Sequence, residues 1–173
     1  MTFLKAGLRV TAVAAAFVAL AACSSTPDDD ASAASNPSSV SSETAPGGAT
    51  PGTQQDLVVN VGDRVFFDLD RSDIKPEARQ TLQRQAAWLK QYPALTVTIE
   101  GHADERGTRE YNLALGGRRA NAVKDYLVAQ GVDPARVRTI SYGKERPVAL
   151  CSDESCWSQN RRGVTVVNDR AGS

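Results

Sequence analysis

A single histidine, three cysteines and no excess charge of either sign stand in 173 residues, and each scarcity removes a class of chemistry. General-base or nucleophilic catalysis needs a poised base, and His102 has no triad partner at a convincing spacing, so no catalytic role is expected; we assign His102 no role from sequence. Cys151 and Cys156 have no second pair or histidine nearby to complete a zinc site. A calcium loop starting at Asp68 and Asp70 would want an acid at 72, glycine at 73 and glutamate at 79, where Ser72, Asp73 and Arg79 stand. Turn chemistry and helix capping account for those acids, although one of them could face a ligand pocket. Lys and Arg number 20, as do Asp and Glu. Setting aside Lys5, Arg9 and the five acids up to Asp56 leaves 18 basic and 15 acidic side chains, a balance too mild to mark a nucleic-acid partner. No apolar run reaches the ~20 residues that span a bilayer.

What is present begins with an export pattern. Lys5 and Arg9 precede Val10 to Leu20, an alanine-rich apolar run, so residues 1–22 read as a signal peptide. Leu20-Ala21-Ala22-Cys23 resembles the lipobox of bacterial lipoproteins, which implies that Cys23 carries lipid and becomes the first residue after cleavage. At ~0.8 kcal/mol per buried methylene, two or three acyl chains make a durable anchor. Ser24 in place of aspartate implies sorting to the outer membrane. Residues 24–56 hold no aromatic side chain and, Val40 apart, no large aliphatic one. Such a segment cannot bury enough apolar surface to offset its ordering entropy, so 23–56 is expected to be a lipidated, flexible linker. Its reach is on the order of 30 Å typically and about 110 Å extended. Export also places Cys151 and Cys156 in an oxidising compartment, where a disulfide between them is expected.

From residue 57 to 173 the pattern is that of one domain. Val65-Phe66-Phe67 is a short strand; Ile74, Ala78, Leu82, Ala86 and Leu89 recur at helical spacing from Pro76 until Pro93; Leu95, Val97 and Ile99 alternate in a second strand ending at Gly101. A polar loop from His102 to Thr108 feeds a long helix, about Arg109 to Gln130, with Gly131 as C-cap. Strands follow at Val137 to Tyr142 and Gly163 to Val167, with a loop holding both cysteines between them. The order β-α-β-α-β-β predicts an α+β, two-layer sandwich with helices packed on a mixed four-stranded sheet.

The long helix carries the anomaly that points to function. At 100° per residue, Tyr111, Leu115, Ala122 and Tyr126 form an apolar arc continued by Val123 and Leu127, and Asn112 and Arg119 fall inside it. A guanidinium there costs several kcal/mol unless it is paired. Its partner could be Asp104 or Glu105 in a plain internal salt bridge, or the carboxylate of a ligand. An open Asp104 and Arg119 pair would suit a zwitterionic amino-acid head, the ammonium on Asp104 and the carboxylate on Arg119.

The run Gly101-His102-Ala103-Asp104-Glu105-Arg106-Gly107-Thr108, followed by Glu110-Tyr111-Asn112, Leu115 and Arg118-Arg119-Ala120-Asn121-Ala122-Val123, resembles the signature of peptidoglycan-associated lipoproteins. More broadly it is similar to the OmpA C-terminal domain family. Phe66-Phe67-Asp68-Leu69-Asp70, Ser141 to Pro147 and Asn160-Arg161-Arg162 extend the likeness over residues 65 to about 167. The resemblance implies non-covalent binding of peptidoglycan through diaminopimelate of the stem peptide. Asp104 and Arg119 would be its clamps, Asn112 and Leu115 would line the pocket, and Arg106, Thr108, Phe67 and Asp68 would make secondary contacts. It further implies a periplasm-facing lipoprotein of the Tol-Pal system, partnered by a TolB-type propeller and active in envelope integrity and outer-membrane constriction at division. The alternative is an OmpA-like wall-binding lipoprotein acting outside the Tol system. No cofactor is implied. Arg109 stands where many relatives have proline, and Gly116-Gly117 should loosen the helix by about 1 kcal/mol per glycine.

Overall fold

The computed structural model describes residues 49–168. The signal peptide, Cys23 and the linker as far as residue 48 lie outside them. The last residues assigned to the linker do not behave as one. Thr53 caps a short helical turn, α1 (Gln54–Asp56), which runs on as a wider turn through Val61. Asp56 is buried and its carboxylate accepts from Gly52 N at 2.8 Å, from Asn60 Nδ2 at 2.8 Å and from Trp88 Nε1 at 2.8 Å. The expected boundary at Leu57 therefore falls inside a packed segment; composition hid it because the anchor is an acid. Burial pushes the Asp56 carboxyl up, and the bonds from Asn60, Trp88 and Gly52 outweigh that and hold it below the ordinary value. Asp56→Ala strands the indole N–H in an apolar site, and we expect it to cost about 2–3 kcal/mol, read as a lowered urea midpoint at unchanged slope.

Beyond this segment come β1 (Arg64–Phe66), α2 (Pro76–Gln91), β2 (Thr96–His102), α3 (Arg109–Ala129), β3 (Val137–Gly143), α4 (Glu154–Asn160) and β4 (Arg162–Asn168). The strands form one sheet in the order β1-β4-β2-β3. β4 is antiparallel to both its neighbours, pairing Phe66 with Arg162 and Gly101 with Gly163, whereas β2 and β3 are parallel, so α3 serves as their crossover. This is the α+β, two-layer architecture expected of the sequence, with four strands in a mixed sheet. Besides α1 with its continuation and a short turn at Pro134–Arg136, the pattern missed α4, placed in a loop because seven residues reading Glu-Ser-Cys-Trp-Ser-Gln-Asn show no apolar period. No helix among the described residues is long and apolar enough to cross a membrane.

Helices α2 and α3 cover the sheet face carrying Val97 and Ile99, and with Leu57, Val65, Leu82, Leu89, Val123 and Leu127 close a single core. The C-terminal end of α2 is finished by a distant side chain: Arg136 donates to the carbonyls of Leu89, Tyr92 and Leu95 at 2.8–2.9 Å. The buried stripe of α3 is Asn112, Leu115, Gly116, Arg119, Ala120, Val123 and Leu127. Tyr111, expected in the apolar arc, is instead exposed.

Gly116 turns out to be a contact and not a weakness. The backbones of α3 and β2 meet at Gly116 and Gly101 so closely that a Cβ on Gly101 would lie 1.8 Å from Gly116 O, and one on Gly116 would lie 2.4 Å from Ser141 Oγ. This approach sets the start of α3 directly against the end of β2, where the loop 103–108 leaves the sheet.

Candidate functional site

A cavity of about 370 Å³ opens where β2 gives way to α3, lined by Leu69, Asp70, Asp104, Arg106, Gly107, Tyr111, Asn112, Leu115 and Arg119. Each wall has a separate origin. Leu69 and Asp70 come from the turn after β1, in which Arg71 N donates to Asp68 O at 3.2 Å and Asp70 sits at φ 56°, a left-handed conformation that aspartate tolerates better than most residues. Asp104, Arg106 and Gly107 come from the β2–α3 loop, and Tyr111, Asn112, Leu115 and Arg119 from the face of α3 above it.

Arg119 is wholly buried, yet no carboxylate pairs it. Its Nε donates to Arg71 O at 2.8 Å, Nη1 to His102 O at 2.7 Å and Nη2 to Asp68 O at 3.0 Å, and the guanidinium lies 5.3 Å from the centre of the Phe67 ring. The internal Asp104–Arg119 salt bridge weighed from the sequence is therefore absent from the described residues. Three carbonyl dipoles take its place, and a guanidinium with five N–H donors keeps two over. Burial lowers the Arg119 pKa to about 10, against the opposing field of Asp104, so the group stays charged at neutral pH.

Asp104 is buried and fully engaged by other arginines. Its Oδ2 takes Arg106 Nη2 at 2.5 Å and Arg161 Nη1 at 3.4 Å, and its Oδ1 takes the Arg106 backbone N–H and Nε, both at 3.2 Å. Burial pushes this carboxyl up, but the hydrogen bonds and charge of Arg106, with help from Arg161, bring it below its ordinary value. The carboxylate consequently stays ionised well into the acid range.

The other expected contacts divide. Asn112 and Leu115 line the cavity, with Asn112 Nδ2 donating to Arg106 O at 2.7 Å to fix the loop. Thr108 is taken by the helix instead: its Oγ1 accepts Tyr111 N at 3.2 Å as the N-cap of α3. Phe67 and Asp68 line a neighbouring cleft of about 330 Å³ with Phe66, Lys75 and Arg161, and Asp68 pairs with Lys75 at 3.0 Å. Sequence reasoning did not name Leu69, Gly107 or Tyr111 as cavity-lining, and it counted Asp70 among three acids of which one could face a ligand pocket, without singling it out. The usable signal for Asp70 was its place in the Asp68-Leu69-Asp70 turn, and its carboxylate accepts from the hydroxyl of Tyr111 across the cavity mouth.

Cys151, Asp153 and Cys156 converge, but the two sulfurs are bonded to each other and leave no thiolate. Asp68, Asp70 and Asp73 turn to separate partners, Lys75, Tyr111 and Arg71.

His102, the last residue of β2, is 2 % exposed, with its ring 5.6 Å from that of Tyr142 and neither nitrogen hydrogen-bonded among the described residues. Burial, reinforced by the charges of Arg162, Arg146 and Arg64, lowers its pKa to about 4. Because the folded value lies below the unfolded 6.5, this site is fully compatible with folding above pH 6.5 and costs stability as pH falls toward 4. We expect the wild type to lose roughly 2–3 kcal/mol more than His102→Phe between pH 7.5 and 4.5, measured by urea unfolding at each pH.

The architecture is shared with known proteins. The OmpA family matches residues 66–161. The chain is 68% identical over 121 residues to the peptidoglycan-associated lipoprotein of Agrobacterium fabrum, covering 70% of this chain and 68% of that protein. It is 68% identical over 127 residues to that of Rhizobium meliloti, covering 73% and 72%. The crystal structure of the peptidoglycan-associated lipoprotein from Burkholderia pseudomallei superposes with a TM-score of 0.60 at 45% identity, over 61% of this chain and 90% of that one. The chain belongs to the OmpA family and, within it, to the peptidoglycan-associated lipoproteins. That family binds and does not catalyse, which agrees with the absence of a triad in the sequence.

Proposed function

We propose that this protein is an outer-membrane lipoprotein that holds peptidoglycan non-covalently, taking the zwitterionic end of diaminopimelate in the cavity between the β2–α3 loop and α3. The observation that carries this reading is the convergence of both signs of charge on one small, partly apolar cavity, whose lining includes Asp70 and Asp104, Arg106 and Arg119, and Leu69 and Leu115. A free amino-acid head is an ammonium and a carboxylate a few ångströms apart on an aliphatic stem, and this lining answers each part. The ammonium competes with Arg106 for Asp104, and the ligand carboxylate engages the released Arg106 and the two uncommitted N–H donors of Arg119. With lipid on Cys23 and residues up to about 48 as a leash, such a grip makes a cross-link between membrane and wall that is reversible at its wall end. We place it in the Tol-Pal system, facing the periplasm, with a TolB-type propeller as partner and a part in envelope integrity and constriction at division.

Sedimentation with purified sacculi tests the grip. Asp104→Ala removes the ammonium's partner and leaves Arg106 and Arg161 without their shared carboxylate, so binding should fall at least about tenfold, since a buried charge pair is worth 2–5 kcal/mol on truncation. Co-sedimentation of Asp104→Ala at wild-type level would dismiss the clamp. Affinity capture with the Tol propeller separates the Tol-Pal placement from that of a wall-binding lipoprotein acting outside it.

A further inference from the structure

The charged residues of the cavity loop are each held by α4 or by the residue that ends it. Arg106 stacks its guanidinium 3.9 Å from the centre of the Trp157 ring. Glu105 Oε1 accepts from Trp157 Nε1 at 3.1 Å. Asp104 is met by Arg161, whose other arm pairs with Glu154 at the start of the same helix. Thus three consecutive loop residues, 104, 105 and 106, take their orientation from seven residues of helix and its C-terminal cap.

That helix has little of its own to hold it. It is two turns long, shorter than the ~12 residues at which isolated helices become marginally stable, and of its seven residues only Cys156 and Asn160 are buried. Both buried residues act as fasteners. Cys156 is bonded to Cys151, and its sulfur also accepts the Cys151 backbone N–H at 3.1 Å. Asn160 Oδ1 accepts from Val148 N at 2.8 Å and Ala149 N at 3.2 Å, while its Nδ2 donates to Ala149 O at 2.8 Å, zipping the incoming strand of the loop to the helix end. The disulfide fixes the first turn, where Asp153 caps Ser155 N at 2.8 Å, and Asn160 fixes the last.

We propose that Trp157, on a helix fastened by the Cys151–Cys156 disulfide, is a positioning residue for the ligand cavity: it holds Glu105 and Arg106 in place, so that the loop is ordered before ligand arrives. This deepens, and for its binding readout rests on, the wall-binding function proposed above. The physical advantage is that the ordering entropy of the loop is met at folding and not at binding. Trp157 touches no ligand in this account; it acts through Arg106 and Glu105.

Two measurements test the proposal, one independent of any ligand. In hydrogen exchange on the full-length protein, the amides of residues 103–108 should lose protection in Trp157→Ala and in Cys151→Ser/Cys156→Ser, while those of β2 and α2 keep it. Trp157→Phe, which retains a ring for Arg106 but not the indole N–H, should fall between. In sacculus sedimentation, Trp157→Ala and the double serine variant should each bind about fivefold or more weakly. Arg106→Ala/Trp157→Ala should lose clearly less than the sum of the two single losses, because the tryptophan acts in large part through that arginine; a merely structural role would make the losses add. Unchanged loop exchange in Trp157→Ala, or additive losses in the double variant, overturns the proposal. Absence of sacculus binding by the wild type would instead defeat the wall-binding reading, and loop exchange would still decide the role of Trp157.

Discussion

Arg119→Met should both empty the cavity of function and loosen the domain, lowering stability by about 3–5 kcal/mol and abolishing sacculus binding. The size follows from what the side chain holds. Its three donors satisfy the carbonyls of Asp68, Arg71 and His102, which belong to the turn after β1 and to the end of β2. An apolar replacement removes the donor from the buried His102 carbonyl and from the part-buried carbonyls of Arg71 and Asp68, the last of which keeps Arg71 N, and each acceptor left bare costs about 1–3 kcal/mol before relaxation. Arg119→Lys should recover little, because one ammonium on a flexible stem cannot address three carbonyls spread around a planar fork. Urea unfolding of the two variants at pH 7.5 gives the stability loss. A sacculus assay well below the denaturant midpoint shows whether the cavity survives in the folded fraction.

Gly101→Ala should be comparably severe although it adds one methyl group. The new Cβ would stand 1.8 Å from the carbonyl oxygen of Gly116 and 2.6 Å from its carbonyl carbon, both backbone atoms with no rotamer to escape into. Only a shift of α3 away from β2 relieves this, and that shift separates Asn112, Leu115 and Arg119 from Asp104. Overpacking usually costs 1–3 kcal/mol; with backbone on both sides we expect the upper end or above, about 3 kcal/mol or more, and a matching loss of wall binding. Gly117→Ala, one residue past Gly116, is the internal control. Its Cβ would meet only Ser141 Cβ, at 3.9 Å, so the ordinary preference of helices for alanine should prevail and raise stability by about 0.5–1 kcal/mol. Opposite signs for Gly101→Ala and Gly117→Ala, read by urea unfolding, would separate close approach from helix propensity as the determinant.

The pair Gly116-Gly117 also marks where sequence reading stops. Propensity gives both glycines the same small penalty, and nothing local reveals that one faces the β2 backbone. Arg119 was legible as an anomaly because helical spacing alone puts it among apolar residues; its partners were not, since backbone carbonyls carry no side-chain signature. The strands and long helices were legible from periodicity to within one or two residues at their ends. Helix α4 and the segment around Asp56 were not, because the first depends on a disulfide and an asparagine zipper and the second on a buried acid beneath Trp88. Asp104, Arg106, Asn112, Leu115 and Arg119 were read as neighbours and line one cavity. Thr108 was read as a contact and instead caps α3, a use its position before the helix equally permits.

The placement of the two ends of the sheet has a mechanical consequence. Gln54 bonds to Val167 N at 2.7 Å, beside the Thr96–Asn168 end of the sheet. The cavity lies past the opposite end, where Gly101 pairs with Gly163. Seven-residue strands separate these points by roughly 20 Å. A pull between the residues preceding Ala49 and a ligand in the cavity thus runs lengthwise along β2 and β4. Their hydrogen bonds lie across that line and are strained together, in shear, so the load is shared along the ladder and not peeled away one rung at a time.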